Sequence, residues 1–245
     1  MRWTVENQKY FRTLHTPWSQ GATSDDKRAN SVEHLLGREI VVTEKVDGEN
    51  QTWTDTSVFA RSHATPVHHA SNGWSKMLHA ERKHLIDPGL SVFLEYTFAL
   101  HSIWYGRMAR EYAYAHVFGV RDDRTGEHWC WDDVEMMASV LGLPTVPVLW
   151  RGVLPSEADL IRLMPGDGMQ PSLWQGVPIK MEGSTVGVLP GHSRDSNVRE
   201  GEVARVTAAF QEPHKSIIKA VRPNHVQSDE HWKQNWRPMH EWQPL

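Results

Sequence analysis

The stretch Thr43-Glu44-Lys45-Val46-Asp47-Gly48-Glu49-Asn50 places one lysine at the end of an apolar run and just before a turn. The chemistry open to it is nucleophilic attack by an amine on an electrophile such as a nucleotide α-phosphate. Only the neutral, partly desolvated form of a lysine can do this. The competing reading is a solvated lysine beside an ordinary turn, and four residues of K-x-D-G pattern do not separate the two. Further along stand other groups suited to handling phosphate. They are Arg61 at a strand end, Glu95 inside an apolar strand, Glu182-Gly183 or Glu200-Gly201, and the cations Lys215, Lys219 and Arg222. A carboxylate such as Glu95 is rarely buried without a partner, so it either faces solvent or serves a site. Phe118 is either a core residue or a stacking surface.

Those residues need a scaffold. Arg38 to Thr43 is β-branched and reads as a buried strand, and Asp47-Gly48 is a two-residue hairpin signal returning through Gln51-Thr52-Trp53-Thr54. A second strand pair is expected across Asp55-Thr56-Ser57. Residues 23–36 read as a short helix capped by Thr23 or Ser24, with Val32, Leu35 and Leu36 on one face and Gly37 as its end. A helix is expected over 71–86, capped by Ser71 and stopped by Asp87-Pro88-Gly89. Strands follow at Ser91–Leu100 and Glu111–Val120. Next come a helix from Asp132 or Asp133 to Leu141 and a short helix from Ser156. Val146–Leu149 reads as an edge strand or connector, and a last helix is expected from Pro213 to about Val221.

Composition bounds the class. The 245 residues are 39% hydrophobic and 23% charged, which fits a globular protein of one mixed domain, 1–245, with 223–245 as a short tail. No apolar run approaches the roughly 20 residues of a membrane span, and no signal peptide is visible. A single cysteine, Cys130, excludes an intramolecular disulfide and suits the cytoplasm, the expected location. The net charge of −4 means that any contact with nucleic acid must come from a local patch. The fifteen histidines, including His63, His68, His69, His225 and His231, show no strong metal-ligand spacing.

Taken together, the motifs resemble the covalent nucleotidyltransferases, the polynucleotide ligases and capping enzymes, and most closely the ATP-dependent RNA ligases of the RNA ligase 2-like group. The likeness begins near Tyr10. It includes His15-Thr16-Pro17-Trp18-Ser19, Gly21-Ala22-Thr23-Ser24-Asp25-Asp26 and His101-Ser102-Ile103-x-Tyr105, and it runs to His231-Trp232. Departures are Leu94 where a glycine is common, Glu202 where an aromatic is usual, and a last motif with Arg222 or Lys215 in place of a second nearby lysine. The resemblance implies an α+β fold with antiparallel sheets flanking an ATP cleft and no OB domain. Its implied catalytic residues are Lys45, which would carry AMP, and Lys219. Glu44 would read the adenine amino group, Phe118 would stack on the ring, and Glu95 and Arg61 would hold ribose or phosphate. Asp47 and Asn50 would set the turn and the phosphate side, and Arg222 would accompany Lys219. The family pattern E-G-x-V-x-R selects Glu200 over Glu182, with Glu200 as a ligand of Mg²⁺ or Mn²⁺. The implied activity is ATP-dependent joining of a 5′-phosphate to a 3′-hydroxyl on RNA by a monomer. A DNA ligase, a capping-type enzyme or a non-catalytic nucleic-acid-binding module of the same fold are the alternatives.

Overall fold

The computed structural model describes residues 9–62, 66–101, 103, 105, 114–173, 198–223, 236, 238 and 239. Among these residues, ten strands form two five-stranded sheets. The first has the order β1-β10-β9-β2-β8, from β1 (Leu14–His15), β2 (Glu39–Lys45), β8 (Val148–Val153), β9 (Gly201–Val206) and β10 (Ile217–Val221). The second has the order β4-β3-β5-β6-β7, from β3 (Glu49–Trp53), β4 (Val58–Ala60), β5 (Leu90–Tyr96), β6 (Ala115–Asp122) and β7 (Glu127–His128). All pairings are antiparallel except β1 with β10. No helix among the described residues is long and apolar enough to cross a membrane.

β2 explains why two sheets are needed. It is buried on both faces, and strand alternation divides its side chains. Ile40 and Val42 join one core with Leu35, Leu154, Leu160, Ala204 and Ile218. Val41 joins the other, with Trp53, Val92, Leu94, Val117 and Trp131. Lys45 therefore projects on the Val41–Thr43 face, toward the second sheet, and Glu44 projects on the opposite face.

The expected hairpin at Asp47-Gly48 is not one. β2 pairs with β8 and β9, while β3 pairs with β4 and β5, so the three residues between them carry the chain from one sheet into the other. Gly48 is required by close approach rather than by positive φ, because a Cβ there would lie 2.6 Å from Tyr96 O. The turn is clamped from behind by Ile103 and Tyr105. Asp47 N donates to Tyr105 Oη at 2.7 Å, and Asp47 Oδ2 accepts from Ile103 N at 3.0 Å. The hairpin across Asp55-Thr56-Ser57 is present as β3–β4.

Three α-helices among the described residues position the sheets. α1 (Gly73–Arg82) lies within the expected 71–86, flanked by 3₁₀ turns, and it is His69 Nδ1 that caps its approach by accepting from Ser71 N. A buried polar network ties α1 to β3. Glu49 accepts from Asn72 Nδ2 at 2.5 Å and Gln51 Nε2 at 3.0 Å, and Gln51 accepts from Ser75 Oγ at 2.6 Å. α2 (Trp131–Val140) carries Asp132 and Asp133 in its first turn, and α3 (Glu157–Leu163) is capped by Ser156, which accepts from Asp159 N.

Two expected helices are absent. In 23–36 the Asp26 carboxylate takes Thr23 N and Oγ1, which closes a turn instead of starting a helix, and only one 3₁₀ turn, Glu33–Leu35, forms. The expected helix over 213–221 is a 3₁₀ turn, Pro213–Lys215, followed by β10. The β-branched Ile217, Ile218 and Val221 suit a strand held on both sides by β1 and β9. Of the tail, Trp236, Pro238 and Met239 fall among the described residues. Met239 is buried in the second core, and its N–H donates to Phe98 O at 2.6 Å. His225–His231 lies outside the described residues, as do His63 and Glu182.

Candidate active site

The facing surfaces of the two sheets enclose a cleft of about 540 Å³. Its lining follows from strand alternation. Thr43 and Lys45 of β2, Val203 and Arg205 of β9, and Ile217 and Lys219 of β10 share one wall. Asn50, Arg61, Glu95 and Phe118 come from the second sheet or its loops. In register, Lys45 stands opposite Gly201, Val203 opposite Lys219, and Asn50 opposite Glu95. The sequence separation between Lys45 and Lys219 thus collapses to two strands on either side of β9.

Lys45 Nζ donates to Glu200 Oε2 at 2.6 Å, the side chains being 25% and 8% exposed. Burial alone would push the Lys45 pKa down, but Glu200, Glu95 and Asp47 together outweigh it and hold the pKa above the ordinary lysine value. The carboxylates dominate over burial here. The amine is therefore a held cation, and Glu200 must be engaged elsewhere before it can act as a nucleophile. Glu95 is pushed up to about 8, first by burial, with Lys45 opposing and Glu200 and Asp47 adding to it. Its Oε1 accepts from Gly48 N at 3.1 Å, so the acid of β5 is fixed to the linker that follows Lys45. Lys219 is lowered to about 8, by burial and then by Lys45. Lys45, Lys219 and Glu95 thus line one partly desolvated space, and Glu200, although not itself a lining residue, reaches Lys45 from just before β9; perturbed groups gathered in this way mark candidate functional sites.

Phe118 lies in the cleft with its ring edge-on to Tyr10 at 5.1 Å and parallel to Phe93 at 6.4 Å. Arg61 is exposed at the rim. Two candidates stand elsewhere. Glu44 borders the cleft, but its carboxylate lies on the other face of β2, where Oε2 accepts from Leu173 N at 2.9 Å. A base-reading role for that carboxylate is not what the geometry offers. Arg222 is buried after β10, with its N–H donating to Glu200 O at 2.9 Å, and it is not among the lining residues. Lys215 pairs with Glu212 at 2.7 Å on an exposed turn, so it does not replace Arg222.

Several lining residues had no signal as site groups. Tyr10 and Thr13 come from an irregular segment without periodicity, and Trp131 reads simply as a helix start. Arg205, known only as a motif letter, joins the sheets at the floor of the cleft. Its Nη2 donates to Trp129 O at 2.5 Å and its guanidinium lies 5.5 Å from the Trp131 ring.

A family model described as RNA ligase matches residues 38–221, which spans every strand from β2 to β10. The chain belongs to the RNA ligase family. No curated protein matches it. Among solved structures it is similar to the Naegleria gruberi RNA ligase with PPi, with TM-score 0.54, 16% identity, and 91% of this chain and 61% of that chain covered. A lysine-to-alanine mutant of the same ligase with ATP and Mn gives 0.53 and 17%, with 87% and 62% covered. A glutamate-to-alanine mutant with AMP and Mn gives 0.51 and 17%, with 88% and 62% covered. These likenesses show the fold, a mixed α+β architecture of antiparallel sheets. The chain spans about three-fifths of the length of the Naegleria chains it matches. The family assignment gives the Lys45 cluster its context: the K-x-D-G stretch lies within the matched residues, as do Glu95, Phe118, Glu200 and Lys219.

Proposed function

We propose that this chain is an ATP-dependent RNA ligase that works through a lysyl-AMP intermediate on Lys45. The observation that carries the reading is the Lys45 amine held at 2.6 Å by Glu200 in a cleft it shares with Lys219 and Glu95. The volume of that cleft falls within the roughly 300–1,000 Å³ usual for small-molecule sites, and the ATP and AMP complexes of the Naegleria ligase support a nucleotide as occupant.

In the first step Lys45, having shed its extra proton to solvent, attacks the α-phosphorus of ATP. An N–P bond forms as the P–O bond to pyrophosphate breaks, pyrophosphate leaves with the electron pair, and the nitrogen gives up a second proton. An oxygen of a 5′-phosphate then attacks the same phosphorus, and the Lys45 nitrogen departs and regains both protons. Last, a 3′-hydroxyl oxygen attacks the activated 5′-phosphate, loses its proton and displaces AMP. Each step is in-line substitution at phosphorus, for which positioning and charge neutralisation supply most of the catalysis. Lys219 neutralises the α-phosphate, Phe118 stacks on the base, Asn50 and Arg61 border the sugar and phosphates, and Glu95 accepts from a ribose hydroxyl. Asp47 keeps the linker in place. The donors near Lys45 are carboxylates, which suit hard cations, and no group of three His, Cys, Asp or Glu forms a closed cage among the described residues. Glu200 would hold Mg²⁺ or Mn²⁺, which would supply positive charge near the α-phosphate.

The partner class that fits is RNA ends. A sealing assay tests this. With ATP and Mn²⁺ or Mg²⁺, a 5′-phosphorylated RNA should become joined to a 3′-hydroxyl RNA through a transient adenylylated strand. Joining of DNA ends alone would move the assignment to a DNA ligase, and dependence on GTP would move it to a capping-type enzyme. A binding module would retain the strands and join nothing.

A further inference from the structure

Two N-terminal motifs, His15–Ser19 and Gly21–Asp26, have no part in the steps above, yet both pack against β10, the strand that carries Lys219. β1 runs parallel to β10 with His15 in register with Lys219, and Thr16 N donates to Lys219 O at 2.8 Å. His15 is 2% exposed. Its Nδ1 lies 2.8 Å from Ser19 Oγ, which in turn accepts from Val221 N at 2.9 Å, so the imidazole is anchored to β10. Its Nε2 faces Asp26 Oδ1 at 3.4 Å. Asp26 is itself built in, because its Oδ2 accepts from both Thr23 N and Thr23 Oγ1, and Arg12 Nη2 reaches Oδ1 at 3.4 Å.

We propose that Asp26, acting through the imidazole of His15, is a positioning residue that keeps Lys219 cationic and directed into the cleft. The proposal rests on the role given to Lys219 above. Four charged groups act most strongly on Lys219. Lys45 from β2 and Arg61 just after β4 oppose its charge, while Asp26 from the N-terminal turn and Glu200 just before β9 favour it. Glu200 is bound to Lys45, whereas among the described residues Asp26 shares its charge only with Arg12 at 3.4 Å and with the buried His15. Burial would raise the Asp26 pKa, but the two Thr23 bonds and the fields of His15 and Lys219 outweigh it, so Asp26 stays anionic. His15 is pushed down to about 4, first by burial and then by Lys219, and Asp26 only partly offsets this against Arg28. The neutral imidazole stands beside both groups, its backbone in register with Lys219 and its Nε2 toward Asp26, and adds no competing charge.

Asp26→Asn tests this, because asparagine keeps an acceptor for Thr23 and removes only the charge. Competitive acetylation of Lys219 read by mass spectrometry needs no catalysis. It should show the apparent pKa of Lys219 about one unit lower in the variant, a tenfold change in the ratio of charged to neutral amine. An unchanged Lys219 in a folded variant overturns the proposal. Lysyl-AMP formation should fall about fivefold at a pH near that of Lys219 titration. In a Lys219→Arg background the same substitution should cost nothing, since arginine stays charged. An equal loss in both backgrounds means that Asp26 is merely structural, and overturns the proposal. If the wild-type chain takes no AMP while Lys219 reactivity still shifts, the ligase reading fails and the link between Asp26 and Lys219 stands.

Discussion

Glu200→Ala is expected to lower transfer of label from α-labelled ATP to the protein by at least about a hundredfold, the scale of losing one preorganised electrostatic partner. Glu182→Ala should leave labelling in place. Two effects compete in the Glu200 variant. Removing the carboxylate frees Lys45 from its 2.6 Å ion pair, and burial then favours the neutral, nucleophilic amine. It also removes the group that fixes where the amine sits and the oxygen donor nearest to it. Glu95 and Asp47 remain to hold the charge on Lys45, so the gain in neutral amine is small while the loss of position is full. Labelling that rises in Glu200→Ala would mean that the ion pair only suppresses the lysine.

The second large effect is structural. Gly201→Ala would place a Cβ 2.0 Å from Ala220 O and 2.9 Å from Val221 Cα, at the end of the β9–β10 pairing nearest Glu200. Both are backbone atoms and cannot turn aside as a side chain would. The strands must separate locally, at a cost of about 3 kcal/mol, the upper part of the range for overpacking. For a chain of this size that corresponds to a fall in melting temperature of roughly 6–12 °C. The same separation moves Glu200 away from Lys45 and shifts Lys219 on β10, so labelling should fall with stability. Thermal unfolding checks the first part, and a melting temperature equal to wild type would contradict the packing argument.

Much of the site was legible because the chemistry of nucleotide transfer needs rare combinations. A lysine ending a β-branched strand, an acid inside an apolar strand and an E-G pair before a strand with an arginine are each ambiguous, and in order they are not. What sequence could not supply was the face on which each residue lies. Glu44 and Lys45 are neighbours in the chain, but alternation along β2 sends one carboxylate to Leu173 and one amine into the cleft. Asp47-Gly48 has the residues of a tight turn, but whether β2 and β3 pair with each other depends on partners more than forty residues away, in β5 and β9. Lys219 was expected on a helix because Lys215, Lys219 and Arg222 fall at helical spacing. The β-branched Ile217, Ile218 and Val221 and the two neighbouring strands decided otherwise. The N-terminal contribution of Tyr10, His15 and Asp26 had no periodicity to reveal it, since those residues act through a short parallel strand and a turn closed by Thr23.

The central claim is that Lys45 is the residue that accepts AMP. Exposure of the wild-type chain to ATP and Mn²⁺, followed by digestion and tandem mass spectrometry, measures this directly. The account predicts an adenylyl group on the peptide carrying Lys45, linked at that side chain, and none in Lys45→Ala. An adduct on Lys219, or no adduct in a chain that still seals RNA ends with ATP, would contradict it.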